Sequence, residues 1–293
     1  MKILKFNPIE QLKNDKDTLL EGYITEFLFK NQFLDNADKP VPYSHGWWSG
    51  FLKGKRIVFV LRNNLSPLDK EIITLLKSKY ECWQVTYDNG NWFFLDEDLR
   101  LTKSDFLVIY SLRKQSNSSG TADETKSEDR QNKCIDFFQN HQLLSEIAIE
   151  RKFVDDFLSV YFSFVMNIDF FTKNSEGNIC AIEVKFKSES QGGYFGIGPG
   201  QLIWLKELSS QGIDIFYALL YKDAMHKDMT ILEYLDDKNI EKAWYIHQID
   251  TSDISGHAIG PKKTSINGKK QQPFEKIRKS AVLSNQKILL NFK

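Results

Sequence analysis

Cysteine and histidine are both scarce. Cys82, Cys134 and Cys180 stand far apart in 293 residues. Their odd number and wide spacing exclude a disulfide framework or a metal knuckle and point to reduced thiols. His45, His141, His226, His247 and His257 stand singly, and no pair has metal-ligand spacing. They read as surface or satisfied structural histidines. No apolar run approaches the roughly 20 residues needed to span a bilayer. The N-terminal run MKILKFNPIEQLKNDKD is charged every few residues and lacks an apolar h-region, so no secretory signal is visible. A cytoplasmic chain is expected. Internal repeats are missing too, which argues against a solenoid.

The chain is well supplied with core-forming side chains. A hydrophobic fraction of 41%, with 22 phenylalanines, excludes disorder, collagen and coiled coil as overall classes. The length suits one large domain or two modest ones. Charge balances globally, 39 basic against 39 acidic residues, and not locally. From Thr251 onward eight Lys and one Arg face only Asp253 and Glu275, a surplus of seven positive charges. A solvated tail is the plain reading of such a run. Here PKKTSINGKKQQPFEKIRKS leads into the apolar AVLSNQKILLNF, which instead reads as a basic segment tied to folded structure, suited to a polyanionic partner.

The clearest break is KQSNSSGTADETKSEDRQNK, residues 114–133, whose single small apolar side chain is Ala122. It reads as a polar linker or mobile loop. Residues 1–113 before it form an expected N-terminal α/β domain, and 134–293 a second domain. In the first, a helical and aromatic lead-in (19–33, 45–48) precedes a buried strand within GKRIVFVLRN. Ser66-Pro67 starts a helix with an apolar stripe at Leu68, Ile72, Ile73, Leu75 and Leu76. A strand at 82–87, a turn at Asn89-Gly90 and a hairpin partner at 92–95 follow, then a short strand at 106–110. Beyond the linker, 134–159 is helical with one break. VYFSFVMNIDFF reads as a strand, Ser175–Asn178 as a turn and ICAIEVKFK as the returning strand. A Gly-rich loop (GGYFGIGPG, 192–200), a helix at 201–210, a buried strand IDIFYALLY and a strand at 244–249 complete the order.

The returning strand carries the chemistry. With a period of two, Ile182, Val184 and Phe186 point into a core, while Glu183, Lys185 and Lys187 share the opposite face. Asp169, fourteen residues upstream, interrupts an apolar strand, and hairpin pairing can bring it beside Glu183. Two adjacent carboxylates repel unless a proton or cation lies between them. Oxygen-only ligation favours magnesium or manganese over zinc. A solvent-exposed Glu–Lys pair on a strand face is the plain alternative, worth a few tenths of a kcal/mol at most on the order of cross-strand pairs. GGYFGIGPG lacks both phosphate-loop patterns and reads as a mobile loop at the mouth of this site. Trp47 and Trp48 in SHGWWSG read as packing residues, with stacking on an unpaired base as the alternative.

Asp169, then Glu183-Val184-Lys185, on a hairpin with a helix before it and a helix and strand after it, resembles the PD-(D/E)XK nuclease superfamily. The resemblance covers about residues 134–250, and Ile168 replaces the usual proline before the aspartate. It implies a restriction-endonuclease-like core, a mixed central sheet flanked by helices, beside a smaller N-terminal α/β domain. It implies Asp169 and Glu183 as Mg²⁺ ligands, Mn²⁺ substituting, with the Val184 carbonyl as a further ligand and Lys185 in catalysis. Glu150, preferred over Glu146, would complete the site from the preceding helix, and Gln201 stands where the family often has a glutamine.

The implied activity is metal-dependent phosphodiester hydrolysis in DNA, of a restriction, phage-defence or recombination type. Lys187, Lys262, Lys263, Lys269 and Lys270 would neutralise flanking phosphates, a binding that weakens with salt. A homodimer would supply the two sites that double-strand cleavage needs. The N-terminal domain would recognise DNA, dock on a partner protein or sense a small molecule. The alternative is a non-catalytic module on a degenerate nuclease fold, binding nucleic acid or protein.

Overall fold

The computed structural model describes residues 6–35, 40–114, 127–189 and 194–249, with strand backbones alone at 262–266 and 270–278. The strands, in chain order, begin with β1 (Tyr43–Ser44), β2 (Trp47–Leu52), β3 (Lys55–Leu61), β4 (Glu81–Asp88), β5 (Asn91–Asp96), β6 (Leu99–Thr102) and β7 (Ser163–Ile168). They continue with β8 (Phe170–Lys173), β9 (Ile179–Lys187), β10 (Tyr194–Ile197), β11 (Asp214–Tyr221), β12 (Trp244–Ile249), β13 (Lys262–Ile266) and β14 (Lys270–Arg278). The helices are α1 (Pro8–Leu12), α2 (Asp17–Phe29), α3 (Pro67–Leu76), α4 (Lys103–Ile109), α5 (Glu128–Asn140), α6 (Leu144–Phe153), α7 (Ser159–Tyr161), α8 (Pro199–Ser209) and α9 (Ile231–Asp236). A π-helical turn, Val154–Leu158, joins α6 to α7. The chain is mixed α/β, with two mixed sheets flanked by helices.

Two compact units divide the described residues, and neither is one continuous stretch. One holds residues 6–20, 44–114 and 127–168, the other 21–35, 40–43 and 169–249 with β13 and β14. The helices α5 to α7 therefore belong with the N-terminal sheet, not with the 134–293 portion to which sequence order assigned them. Of the expected linker, residues 115–126 lie outside the described set, and its last residues are the start of α5.

In the first unit the sheet order is β6-β5-β4-β3-β2-β7, antiparallel except for the β3–β4 pair. A parallel step needs a crossover, and α3 supplies it. Ser66 and Asp69 form a capping box around its start, with Pro67 in the first turn, where its missing N–H costs nothing. The β4–β5 hairpin turns at Asn89 and Gly90, both with positive φ, as a tight two-residue turn demands. The expected strand at 106–110 is instead helix α4. Thr102 and Asp105 cap it reciprocally, and its apolar run is buried on one side only, with Phe106 inside while Val108 and Ile109 are exposed. A local N-terminal signal outweighs β-propensity there.

Phenylalanine fills this unit's core. Phe59 of β3 has the rings of Phe94, Phe106, Phe153, Phe157 and Phe162 around it, at centroid distances of 5.4 to 6.2 Å. Edge-on and tilted rings at such spacing add to the burial itself. Gly50 of β2 lies under this layer, and a Cβ there would come within 2.7 Å of Phe162 Cβ. Phe162 is buried in the ring cluster and has no room to give. Gly50→Ala should therefore destabilise the chain by about 1–3 kcal/mol, the usual cost of overpacking, which urea denaturation would measure.

VYFSFVMNIDFF, expected as one strand, is two. β7 pairs with β2, and β8 pairs with β9, with Asp169 at the bend between them. The second unit's main sheet has the order β1-β8-β9-β11-β12, with β9 and β11 parallel and the β8–β9 and β11–β12 pairs antiparallel. The chain crosses from β9 to β11 through α8, whose Trp204, Leu205 and Leu208 are buried. The β8–β9 hairpin turns at Asn174–Asn178, where Gly177 takes positive φ. A smaller sheet, β10-β14-β13, is antiparallel throughout. The segment expected as a Gly-rich loop thus contains strand β10, and its residues 192–193 lie outside the described set.

Candidate functional site

Register builds the site. Phe170 lies opposite Ile182 and Phe171 opposite Ala181, so the register carried one residue past the end of β8 brings Asp169 to the level of Glu183. Both side chains are buried, Asp169 at 4% exposure and Glu183 at 0%. The Val184 backbone N–H donates to Asp169 Oδ2 at 2.7 Å, which fixes that carboxylate against β9. Lys185 shares the face of Glu183, and its Nζ lies 3.9 Å from Asp169 Oδ2 and in closer contact with Glu183 Oε1. Apart from that ion pair, neither oxygen of Glu183 has a hydrogen-bond partner among the described residues. One ammonium, itself a quarter exposed, thus faces two buried carboxylates. Desolvation of the two anions costs several kcal/mol each, which one partly exposed cation offsets only in part.

Lys187 follows on the same face and donates from Nζ to the Gly196 carbonyl of β10 at 2.9 Å. Burial, and then the Lys185 charge, push its pKa down to about 8. The unfolded lysine holds its proton to higher pH, so the cost of charging Lys187 in the fold is present below pH 8 and fades as pH rises toward 10.5. Stability relative to a Lys187→Met variant should rise over that window, a difference that denaturation at stepped pH would detect.

The other expected site residues are placed as follows. Gln201 is in the first turn of α8, partly exposed, and no hydrogen bond ties it to Asp169, Glu183 or Lys185 among the described residues. Glu150 belongs to the first unit, on α6, where it accepts from Trp48 Nε1 at 3.0 Å. Burial raises its pKa, with Glu146 adding and His45 opposing. Glu146, exposed, accepts from His45 Nε2 at 2.5 Å, and Arg62 donates to His45 Nδ1 at 2.9 Å. His45, Arg62, Glu146 and Glu150 line one open pocket of about 230 Å³. Trp47 and Trp48 are buried, Trp47 donating to Ser44 Oγ at 2.6 Å, so the packing role applies and base stacking does not. Lys269 and the side chains of Lys262, Lys263 and Lys270 lie outside the described residues.

No family model, curated protein or solved structure matches this chain.

What the second unit's site can do must therefore be read from its chemistry. Among the described residues no group of three or more His, Cys, Asp or Glu side chains is arranged to hold a metal. A pair of carboxylates is still a sufficient protein contribution for magnesium, which keeps several of its waters. The donor set is all oxygen, and Glu183 Oε2, which has no hydrogen-bond partner among the described residues, is an oxygen that a cation would satisfy. The residues fit the group. Sequence reading missed Tyr217 of β11, whose in-register neighbour is Glu183. As a lone hydroxyl in the apolar run IDIFYALLY it carried no local mark, and only the parallel β9–β11 pairing reveals its place.

Proposed function

We propose that this protein is a metal-dependent nuclease that hydrolyses phosphodiester bonds in DNA, built on a restriction-endonuclease-like core. The observation that carries the reading is the pair of buried carboxylates of Asp169 and Glu183 with the Lys185 ammonium against them and, among the described residues, no hydrogen-bond donor to Glu183 besides it. Order along the chain supports it as well, since hairpin, α8 and a parallel β11 follow one another as in that superfamily.

Asp169 and Glu183 would hold Mg²⁺ or Mn²⁺. Such an ion, when bound, supplies a Lewis acid and an acidified water. Asp169 is pre-set by the Val184 N–H, so one of its oxygens is committed to the backbone and orients the other. Glu183 sits on a central strand with no water exposure, so its backbone is held in place by the strands on either side. Lys185, partly exposed, can release Glu183 and turn its ammonium to a phosphate oxygen or to the attacking water. Lys187, held by Gly196, adds positive potential along the same face.

The test is cleavage of supercoiled and linear DNA in Mg²⁺, Mn²⁺ or EDTA, wild type against Asp169→Ala and Lys185→Ala. Cleavage by wild type in either metal, lost in EDTA and in both variants, is the expected result. Equal cleavage by the variants removes the assignment, and metal-independent binding without cleavage makes the protein a non-catalytic binder.

A further inference from the structure

The rung that holds Glu183 continues across the sheet. Tyr217 of β11 is the in-register neighbour of Glu183, and His247 of β12 is the in-register neighbour of Tyr217. Paired residues on adjacent strands, roughly 4.8 Å apart, project from the same face. Glu183, Tyr217 and His247 therefore form one polar row running perpendicular to the strands, with the Asp169 carboxylate near its β9 end. The next residues on that face of β11 are Ile215 and Leu219, both buried and apolar.

Tyr217 is fully buried, and among the described residues its hydroxyl has no hydrogen-bond partner. Phenylalanine would fill the same space without stranding a polar atom, and a buried unpaired hydroxyl lowers stability. On the neighbouring strand, Glu183 has the Lys185 ammonium against Oε1 and, among the described residues, no donor to Oε2. A phenol can donate, and a carboxylate accepts through both oxygens. A buried hydroxyl with no acceptor and a carboxylate oxygen with no donor thus belong to in-register residues of adjacent strands, at the site assigned to the cation.

We propose that Tyr217 is a positioning residue for Glu183: its hydroxyl donates to one carboxylate oxygen while the other is turned to a bound divalent cation. The inference rests on the metal-site reading above. It gives the hydroxyl a role at a buried position where phenylalanine would strand no polar atom. A charge-assisted hydrogen bond of this kind both orients the carboxylate and holds its negative charge on the side facing the cation.

The test uses the full chain and Tyr217→Phe, with metal-free melting temperature and Mn²⁺ affinity, followed by the paramagnetic resonance of free Mn²⁺, as readouts. Asp169→Asn serves as the control for the site itself. The expected result is a variant that melts no lower than wild type without metal, and binds Mn²⁺ about tenfold or more weakly. Equal Mn²⁺ affinity in wild type and Tyr217→Phe, with binding still lost in Asp169→Asn, overturns the role of Tyr217 and leaves the metal site standing. A lower metal-free melting temperature with unchanged affinity makes the hydroxyl structural and overturns it as well. Mn²⁺ binding that Asp169→Asn does not weaken removes the metal site and the inference together.

Discussion

Lys185→Met should destabilise the fold by about 3–5 kcal/mol at neutral pH, the usual result of removing one partner from a buried ion pair. Methionine keeps most of the length and apolar stem of lysine and removes the charge, so packing changes little. Glu183, fully buried, and Asp169, nearly so, would then face each other with no ammonium between them. Two further measurements separate this cause from general damage. Glu183→Gln in the same background should recover most of the loss, because the amide carries no charge to strand. Adding Mg²⁺ should stabilise Lys185→Met by more than it stabilises wild type, since the ion no longer competes with an ammonium and binds only the folded state. Urea denaturation of the single and double variants reads both effects. A Lys185→Met protein as stable as wild type would mean that the ammonium does not neutralise this pair.

Cleavage should fall by at least about 10²–10³-fold in Asp169→Ala and in Lys185→Ala, the range seen when one preorganised group that stabilises transition-state charge is removed. The two variants should differ in their cause. Asp169→Ala removes a cation-holding oxygen and also frees the Val184 N–H, so raising Mg²⁺ should recover only part of the rate. Lys185→Ala leaves both carboxylates in place, so its loss should persist at saturating Mg²⁺. Initial rates of plasmid nicking across a Mg²⁺ titration distinguish these patterns. Variants that recover fully in Mg²⁺ would place Lys185 outside the chemistry.

Much of the second unit was legible because its signals are local. The alternation in ICAIEVKFK fixes which residues share a face, and the Asn174–Asn178 turn sets the hairpin register that pairs Asp169 with Glu183. Ser66-Pro67 marks the start of α3 for the same kind of reason. Elsewhere the physical cause lies in distant partners. Nothing within VYFSFVMNIDFF tells that its first half pairs with β2 and its second with β9. The helices at 128–161 carry an aromatic stripe that suits any sheet, and only the rings around Phe59 decide which one receives them. At 102–110 two local signals compete: Thr102 and Asp105 spell a capping box, the apolar FLVIY suits a strand, and the capping box prevails. Tyr217 shows the same limit at the candidate site, because its neighbour Glu183 is set by a parallel pairing that no short stretch of sequence encodes.

The central claim is that Asp169 and Glu183 share a divalent cation. A crystal grown or soaked with Mn²⁺ tests it directly through anomalous scattering. The account predicts one peak touching an oxygen of each carboxylate at roughly 2.0–2.2 Å, with the Lys185 ammonium withdrawn from Glu183. A saturated crystal with no peak there, and Lys185 still against Glu183, would contradict it.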